Sequence, residues 1–230
     1  QLAVTMANAR RLVRLNQQIE QLFGRNVSDQ VLSAIKADPS VVTRPQVRDV
    51  SVLFCDVRGF TRTASAMAPE AVAEMLNAYF EAIAEAVFEQ EGFLDKFVGD
   101  ELMAVFNAPL DQPDHAVRAV RAARGIKARL TTLNGRRERT GLPMLECGVG
   151  ISSGPAAAGY VGAARRANYT VVGETVNVAA RIEQLTAGGE ILIGQSVYDR
   201  LDGGVPTRPW RTVELRGVPG QQALYEVVAG

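Results

Sequence analysis

The stretch LDKFVGDELMAVF, residues 94–106, consists of two apolar runs joined by a short acidic turn around Gly99. Two β-forming runs separated by a glycine turn predict a β-hairpin whose tip is the glycine. Asp100 directly follows Gly99, so the hairpin presents a carboxylate at its tip. What that carboxylate faces depends on the order of the elements on either side of the hairpin.

Strands and helices alternate around this hairpin. The segment DVSVLFCDV, residues 49–57, predicts a buried strand, and Pro69 begins a long amphipathic helix. Asp114 is expected to cap a second long helix, and residues 146–152 predict another strand. With the two hairpin strands the order is βαββαβ, which is the ferredoxin-like arrangement.

A further unit follows this core. The sequence predicts a strand at YTVV, a helix over 174–185, a strand at EILIG, and two final strands near 212–215 and 223–228. We therefore predict an α+β fold with a ferredoxin-like βαββαβ core and a C-terminal α/β extension.

The N-terminal residues differ from the rest. Four apolar residues there follow the a/d spacing of a coiled coil: Leu12, Leu15, Ile19 and Leu22. This spacing predicts a coiled-coil-like helix, although two heptads leave open a helix that lies on its own domain. Ser28 is expected to cap a second short helix, and Pro39 and Pro45 then predict an exposed linker. The expected division is an N-terminal helical segment over 1–46 and a main domain over 47–230.

The composition excludes several classes of protein. A chain of 230 residues with 47% apolar content can bury a full core. Because 25 basic residues balance 25 acidic ones, no overall field would hold nucleic acid. No apolar run reaches the roughly 18 residues of a spanning helix. Cys55 and Cys147 lie in apolar, β-like runs, which predicts buried, reduced thiols and a cytoplasmic location.

Two aspartates are expected to meet in this fold. In a βαββαβ sheet the first and third strands are neighbours, so Asp56 at the end of the first strand should lie near Asp100. Like charges at short range repel unless a cation lies between them, and carboxylate oxygens favour Mg²⁺ or Mn²⁺. The pair therefore predicts a metal site. The alternative is that each aspartate only serves its own turn.

Two other segments are suited to phosphate. In VRGFT, residues 57–61, Gly59 permits a tight turn that points backbone N–H groups outward, although one glycine turn is weak support alone. In GETVNVAARIE, residues 173–183, Asn177 and Arg181 share one helical face, and arginine suits developing charge on a phosphoryl group. The alternative for Arg181 is an ion pair with a neighbouring glutamate, Glu174 or Glu183, on a solvated face.

Four ordered motifs together resemble the class III nucleotidyl cyclase catalytic domain: VLFCDVRGFT, DKFVGDELMAVF, NYTVVGETVNVAARIE and VELRGV. The resemblance covers about residues 47–228. Residues 22–35 also resemble the connector that many bacterial members carry between a sensory domain and the cyclase. The resemblance implies that residues 47–230 form a catalytic domain that makes a cyclic nucleotide and pyrophosphate.

The family's metal and transition-state residues have counterparts in this chain. Asp56, Asp100 and the carbonyl of Val57 match the groups that hold two Mg²⁺ or Mn²⁺ ions in each active site. Asn177 matches the residue that orients the ribose. Arg181 matches the residue that stabilises charge at the α-phosphate.

The substrate-binding residues follow by the same resemblance. Lys96 matches the lysine that reads adenine N1, and Thr170 matches its partner at N6, which implies ATP as substrate. Arg216 stands where most members place a lysine on the triphosphate. The turn of Gly59, Phe60 and Thr61 is expected to contact phosphate. Lys96 has an alternative reading as a bridge to Asp95 or Asp100.

Assembly is also implied by the resemblance. Family active sites lie between two protomers, so a single chain with both sets of residues implies a homodimer. Because the chain begins at Gln1, it is expected to be a piece of a longer protein, with an upstream sensory domain that can anchor the whole protein to a membrane.

The sequence also fits other kinds of protein. A guanylate cyclase is one, and a non-catalytic nucleotide-binding or dimerisation module is another. VGDEL also resembles the signature of diguanylate cyclases, but the double glycine and the following phenylalanine are missing. His115, next to the expected cap Asp114, is expected to be a surface residue.

Overall fold

The computed structural model describes residues 2–43, 45–65, 67–163 and 166–228. The helices are α1 Leu2–Phe23, α2 Asp29–Ala37, α3 Ser40–Thr43, α4 Phe60–Ser65, α5 Pro69–Phe88, α6 His115–Arg139, α7 Glu174–Glu183 and α8 Gln195–Tyr198, followed by a 3₁₀ turn at Asp199–Leu201. The strands are β1 Gln46–Val57, β2 Phe93–Val98, β3 Glu101–Phe106, β4 Cys147–Ala163, β5 Arg166–Val172, β6 Ile191–Gly194, β7 Thr207–Glu214 and β8 Gln221–Val227.

In the described residues these strands form one sheet with the order β2-β3-β1-β4-β6-β8-β7, and β5 pairs with β4 outside that path. Strands β1 to β4 pair with one another antiparallel, as a ferredoxin-like core requires. Strands β6, β7 and β8 continue the sheet, and β6 is parallel to β4. The predicted α+β fold, with its C-terminal extension, is confirmed.

Strand β1 is buried on both faces, which explains its continuous apolar run. Leu53, Cys55 and Val57 face the core that α5 and α6 cover. The alternate residues Val52 and Phe54 face a second core, to which the end of α1 and helices α2 and α7 contribute. Sheet and helices thus form layers around β1, which carries Asp56 next to its last residue.

The N-terminal helix rests partly on its own domain. Ile19 and Phe23 are buried, and the Phe23 ring contacts Phe93 and Tyr169 at centroid distances of 6.1 and 5.4 Å. Leu12 remains 60% exposed and Leu22 45% exposed. The predicted seam is therefore divided, because Leu15 and Ile19 pack on the domain whereas Leu12 and Leu22 face outward.

Local predictions vary in accuracy. The Ser28 side chain caps α2 by accepting from the Val31 N–H, and Pro69 begins α5, as predicted. The linker before β1 is less exposed than predicted, since Val42 is buried. Strand β4 extends to Ala163, well past the predicted end at residue 152.

The prediction that His115 lies on the surface is wrong. His115 is 5% exposed, and its Nδ1 atom lies 2.7 Å from the Ser51 hydroxyl on β1. Asp114 precedes α6 but makes no capping hydrogen bond, and its carboxylate instead accepts from Arg118. The first turn of α6 packs against the sheet, a tertiary contact that the sequence pattern did not reveal.

Both thiols are buried and unbridged, as the apolar runs around Cys55 and Cys147 predicted. None of the helices in the described ranges combines the length and apolarity needed to cross a bilayer.

Candidate functional site

The end of β1 and the tip of the β2–β3 hairpin lie side by side. β1 pairs with β3 so that Cys55 is opposite Leu102. This register brings Asp56, the next residue of β1, to the hairpin turn that carries Asp100. Burial raises the pKa of Asp56 to about 6, and the neighbouring charge of Asp100 adds to that increase. The structure therefore brings the two predicted carboxylates together.

Glycine turns shape the backbone on both sides of this pair. Gly99 has a φ of +65° and Gly59 a φ of +70°, a left-handed conformation that favours glycine. Gly59 leads directly into α4, which begins at Phe60, and Thr61 is exposed. The first N–H groups of a helix have no partner within it, so the start of α4 can offer donors to a ligand.

The donor set suits a hard divalent cation. Asp56 and Asp100 supply carboxylate oxygens, and Val57 is the last residue of β1 between Asp56 and the Gly59 turn. The described residues contain no cluster of three or more metal-binding side chains. That is compatible with Mg²⁺, which proteins commonly hold with one or two carboxylates while substrate phosphates and water complete the shell.

An arginine that sequence reasoning missed lies behind Asp56. Arg58 Nη1 is 3.7 Å from the Asp56 carboxylate, and Arg58 Nη2 donates to both the carboxylate and the carbonyl of Glu183 at the end of α7. The same nitrogen donates to the Thr186 hydroxyl. Arg58 thus joins the end of β1 to the end of α7. In the sequence, the position of Arg58 two residues after Asp56, in VRGFT, was the signal that could have indicated a role beside this carboxylate.

Glu183 and a glycine make this connection possible. Glu183 is 2% exposed, and burial raises its pKa to about 7, although the Arg58 guanidinium acts in the opposite direction. A Cβ on Gly148 of β4 would lie 1.8 Å from the Thr186 hydroxyl and 2.1 Å from Arg58 Nη2. Any side chain at 148 would therefore displace the Thr186 hydroxyl and the Arg58 guanidinium from their positions.

Helix α7 carries the other predicted polar pair. Asn177 is exposed, and Arg181 is half-buried and donates to the Gln184 side chain at 2.8 Å. Arg181 pairs with neither Glu174 nor Glu183, so the alternative reading of Arg181 as an ion-pair residue is wrong. Both polar groups are accessible to a ligand, because neither side chain is fully buried.

The two predicted base-reading residues meet within one chain. Lys96 Nζ donates to the Thr170 hydroxyl at 3.2 Å and to the Asp95 carboxylate at 3.0 Å. The Asp95 part of the alternative interpretation of Lys96 is therefore present, together with the predicted partner. Asp95 is buried, and its hydrogen bond from the Thr170 hydroxyl was not foreseen from the sequence.

The predicted residues form separate groups in one chain. Within the described ranges, no hydrogen bond or ion pair joins the Asp56 and Asp100 pair to Lys96, Thr170 or Arg181. Arg216 follows β7, is exposed, and makes no hydrogen bond or ion pair in the described part of the chain. A single chain therefore presents the carboxylates of Asp56 and Asp100 apart from the contact between Lys96 and Thr170.

The chain is similar to known proteins over most of its length. Residues 42–229 match the family described as "Adenylate and Guanylate cyclase catalytic domain". Adenylate cyclase 1 of Rhizobium meliloti is 35% identical over 183 residues, which cover 79% of this chain and 28% of that protein. The chain spans about a third of the length of the curated relatives that it matches.

Solved structures share the fold. The adenylyl cyclase CyaB from P. aeruginosa aligns with a TM-score of 0.79 at 30% identity, over 81% of this chain and 97% of that chain. The guanylyl cyclase Cya2 aligns with a TM-score of 0.76 at 35% identity, over 79% of this chain and 92% of that chain.

Proposed function

The chain belongs to the adenylate and guanylate cyclase catalytic domain family, and on that premise we propose that it is an adenylate cyclase, which converts ATP into 3′,5′-cyclic AMP and pyrophosphate. The observation that carries the proposal is the contact between Lys96 and Thr170. Adenine has an acceptor at N1 and an amine donor at N6, whereas guanine has the reverse pattern. An ammonium beside a hydroxyl oxygen complements adenine.

The chain's own residues would hold and orient the substrate. Asn177 would hydrogen-bond the ribose and so direct the 3′-hydroxyl towards the α-phosphorus. Arg181 would neutralise the charge that develops on the α-phosphate during the displacement. The triphosphate would be held by Arg216 and by backbone N–H groups in the turn of Gly59, Phe60 and Thr61.

The carboxylate pair would hold Mg²⁺ or Mn²⁺, two ions in each site, together with the carbonyl of Val57. Such cations would supply the Lewis acidity that makes the hydroxyl nucleophilic and the pyrophosphate a better leaving group. The raised pKa of Asp56 supports this assignment, because a cation between Asp56 and Asp100 would relieve the repulsion that contributes to it.

The active site would be completed in a homodimer. Because one chain presents the carboxylate group apart from Lys96, Thr170 and Arg181, a two-fold dimer can build each site from both protomers. We place the domain in the cytoplasm, where reduced thiols such as Cys55 persist. An upstream sensory domain would act through α1.

A guanylate cyclase is the second candidate, because Cya2, a guanylyl cyclase, is 35% identical to this chain. Turnover assays separate the two. With Mg²⁺ or Mn²⁺, the purified protein should form 3′,5′-cyclic AMP from ATP with a kcat/KM well above that for GTP. A higher kcat/KM for GTP would favour the guanylate cyclase.

Variants of the carboxylates test the mechanism separately. Asp56→Ala and Asp100→Ala should each lower turnover by at least about 100-fold while the circular dichroism spectrum stays native, since catalysis loses its metal ligands. Near-normal rates in either variant would contradict the metal assignment. A folded wild type that binds nucleotide without turnover would indicate the non-catalytic module.

A further inference from the structure

A buried carboxylate lies behind Lys96 and Thr170. The Asp95 side chain is 0% exposed. Its Oδ2 atom accepts from the Thr170 hydroxyl at 2.5 Å and from the Lys96 ammonium at 3.0 Å. Lys96 also donates to the Thr170 oxygen at 3.2 Å, so the three side chains form a closed triangle.

A β-bulge brings these side chains together. The pairing of β2 with β3 shifts register between Leu94 and Lys96, which leaves Asp95 as the extra residue. In a regular strand adjacent side chains point to opposite faces, so Asp95 and Lys96 could not both reach Thr170. A bulge commonly re-aims a side chain beside a functional site. The β-bulge therefore allows Asp95 and Lys96 to contact Thr170 at the same time.

Asp95 does not favour folding by itself. Its second oxygen, Oδ1, is buried without a hydrogen-bond partner in the described residues, and burial raises the pKa of Asp95. A buried carboxylate with an unsatisfied oxygen costs folding free energy. A residue kept at such a cost is better explained by what it does to its neighbours.

The triangle fixes the direction of each hydrogen bond. A carboxylate only accepts and an ammonium only donates, so the Thr170 hydroxyl must donate its proton to Asp95. The Thr170 oxygen accepts one proton from Lys96 and keeps one lone pair for a ligand. Lys96 uses two protons inside the triangle and keeps one. Towards a ligand, the pair therefore offers one donor and one acceptor.

We propose that Asp95 is a positioning residue that makes the Thr170 hydroxyl an obligate acceptor and thereby enforces the preference for adenine over guanine. This inference rests on the proposed function, since it assumes that Lys96 and Thr170 face the base. A free threonine hydroxyl can donate as well as accept, so it would also tolerate the O6 acceptor of guanine. Asp95 removes that second option.

Replacement of Asp95 by asparagine tests the idea. An amide can donate to Thr170, which frees the hydroxyl proton to point at the base. The dissociation constant for the guanine nucleotide divided by that for the adenine nucleotide should fall at least about tenfold. A factor of this size is a typical cost of one mismatched buried polar group. The probes are 3′-deoxy-ATP and 3′-deoxy-GTP with Mn²⁺, titrated calorimetrically, because they lack the attacking hydroxyl.

A double substitution separates positioning from a general structural effect. Thr170→Val removes the hydroxyl, so adding Asp95→Asn to Thr170→Val should leave the ratio unchanged within about twofold. Asp114→Asn, which removes an ion-paired carboxylate at the start of α6, is the control and should keep the wild-type ratio. Thermal melts should show that Asp95→Asn is at least as stable as wild type.

Several results would overturn the inference. These are an unchanged ratio in Asp95→Asn, a further fall in the double variant beyond Thr170→Val alone, a wild type without adenine preference, or an Asp95→Asn chain that does not fold. The proposed function fails separately. Wild type that binds 3′-deoxy-ATP selectively but makes no cyclic AMP would refute the cyclase activity and leave the role of Asp95 standing.

Discussion

At the scale of single residues, the site depends on charges that are buried next to one another. Arg58 lies between the carboxylates of Asp56 and Glu183, and Asp95 lies behind Lys96. Each carboxyl group that loses water on burial has a raised pKa. Such groups reduce the stability of the folded state at neutral pH, which makes their effect measurable by pH.

Glu183→Gln should stabilise the protein in a pH-dependent way. The pKa of Glu183 rises from its ordinary 4.5 to about 7 on folding, so the folded state binds the extra proton between these values. Wild-type stability should therefore fall, relative to the variant, as pH rises through this window. The variant should gain about 3 kcal/mol of folding free energy at pH 8 and nothing below pH 4.5. Urea unfolding at a series of pH values measures the difference.

The matched control is Glu89→Gln, which removes a carboxylate from an exposed pair with Arg129 and should change stability by less than about 1 kcal/mol at every pH. A wild type that is more stable than Glu183→Gln at pH 8 would mean that the ion pair with Arg58 outweighs the burial of the carboxylate.

At the scale of elements, glycines in β4 set the position of α7. A Cβ added at Gly150 would lie 2.2 Å from the backbone nitrogen of Glu183 and 2.5 Å from its Cα. Backbone atoms cannot rotate away as a flexible side chain can. The close approach of α7 to β4 therefore depends on glycine, and with it the positions of Asn177 and Arg181.

Gly150→Ala should destabilise the domain by about 2 kcal/mol or more, since overpacking at a backbone contact forces α7 outward. Turnover of the folded fraction should also fall, because Arg181 moves with the helix.

Gly135→Ala is the matched control, because Gly135 lies inside α6 and an added Cβ would have no atom within 4 Å. The free energy of unfolding of Gly135→Ala should rise by up to about 1 kcal/mol, because alanine has a higher helix propensity than glycine. Thermal melts and cyclic AMP assays measure both; equal stability of the two variants would contradict the packing argument.

At the scale of the whole molecule, the candidate site residues of one chain lie in two separate groups. Asp56 lies near the end of β1 and Asp100 lies in the hairpin turn. Lys96 and Thr170 form a separate contact, and Asn177 and Arg181 lie on α7. The proposed homodimer joins the carboxylates of one protomer to the remaining residues of its partner. This arrangement has a consequence for mixtures of inactive variants.

Asp56→Ala and Arg181→Ala should each be nearly inactive alone. In a mixed dimer one site collects both defects, whereas the other combines an intact Asp56 with an intact Arg181. With free exchange about half of the dimers are mixed, and each has one intact site of two, so about a quarter of wild-type cyclic AMP formation should return. Persistent inactivity, with exchange verified by differently tagged chains, would place the complete site within one protomer.

Much of this architecture follows from local sequence. The apolar run of β1, the glycine turn at Gly99 and the proline at Pro69 specify a strand, a hairpin and a helix start from local physical preferences alone. The antiparallel ferredoxin-like order then implied that Asp56 and Asp100 meet, because adjacency of the first and third strands belongs to that topology. Pattern and element order were sufficient for these features.

The sequence by itself therefore determined the core elements, the family and the meeting of the two aspartates. Only the tertiary structure decided the burial of His115, the link from Arg58 to Glu183 and the triangle around Asp95. These contacts join residues far apart in the chain: 64 positions separate Ser51 from His115, 125 separate Arg58 from Glu183, and 75 separate Asp95 from Thr170. Their partners are chosen by sheet register, a β-bulge and the space that glycines leave, and periodicity in one segment carries no information about these.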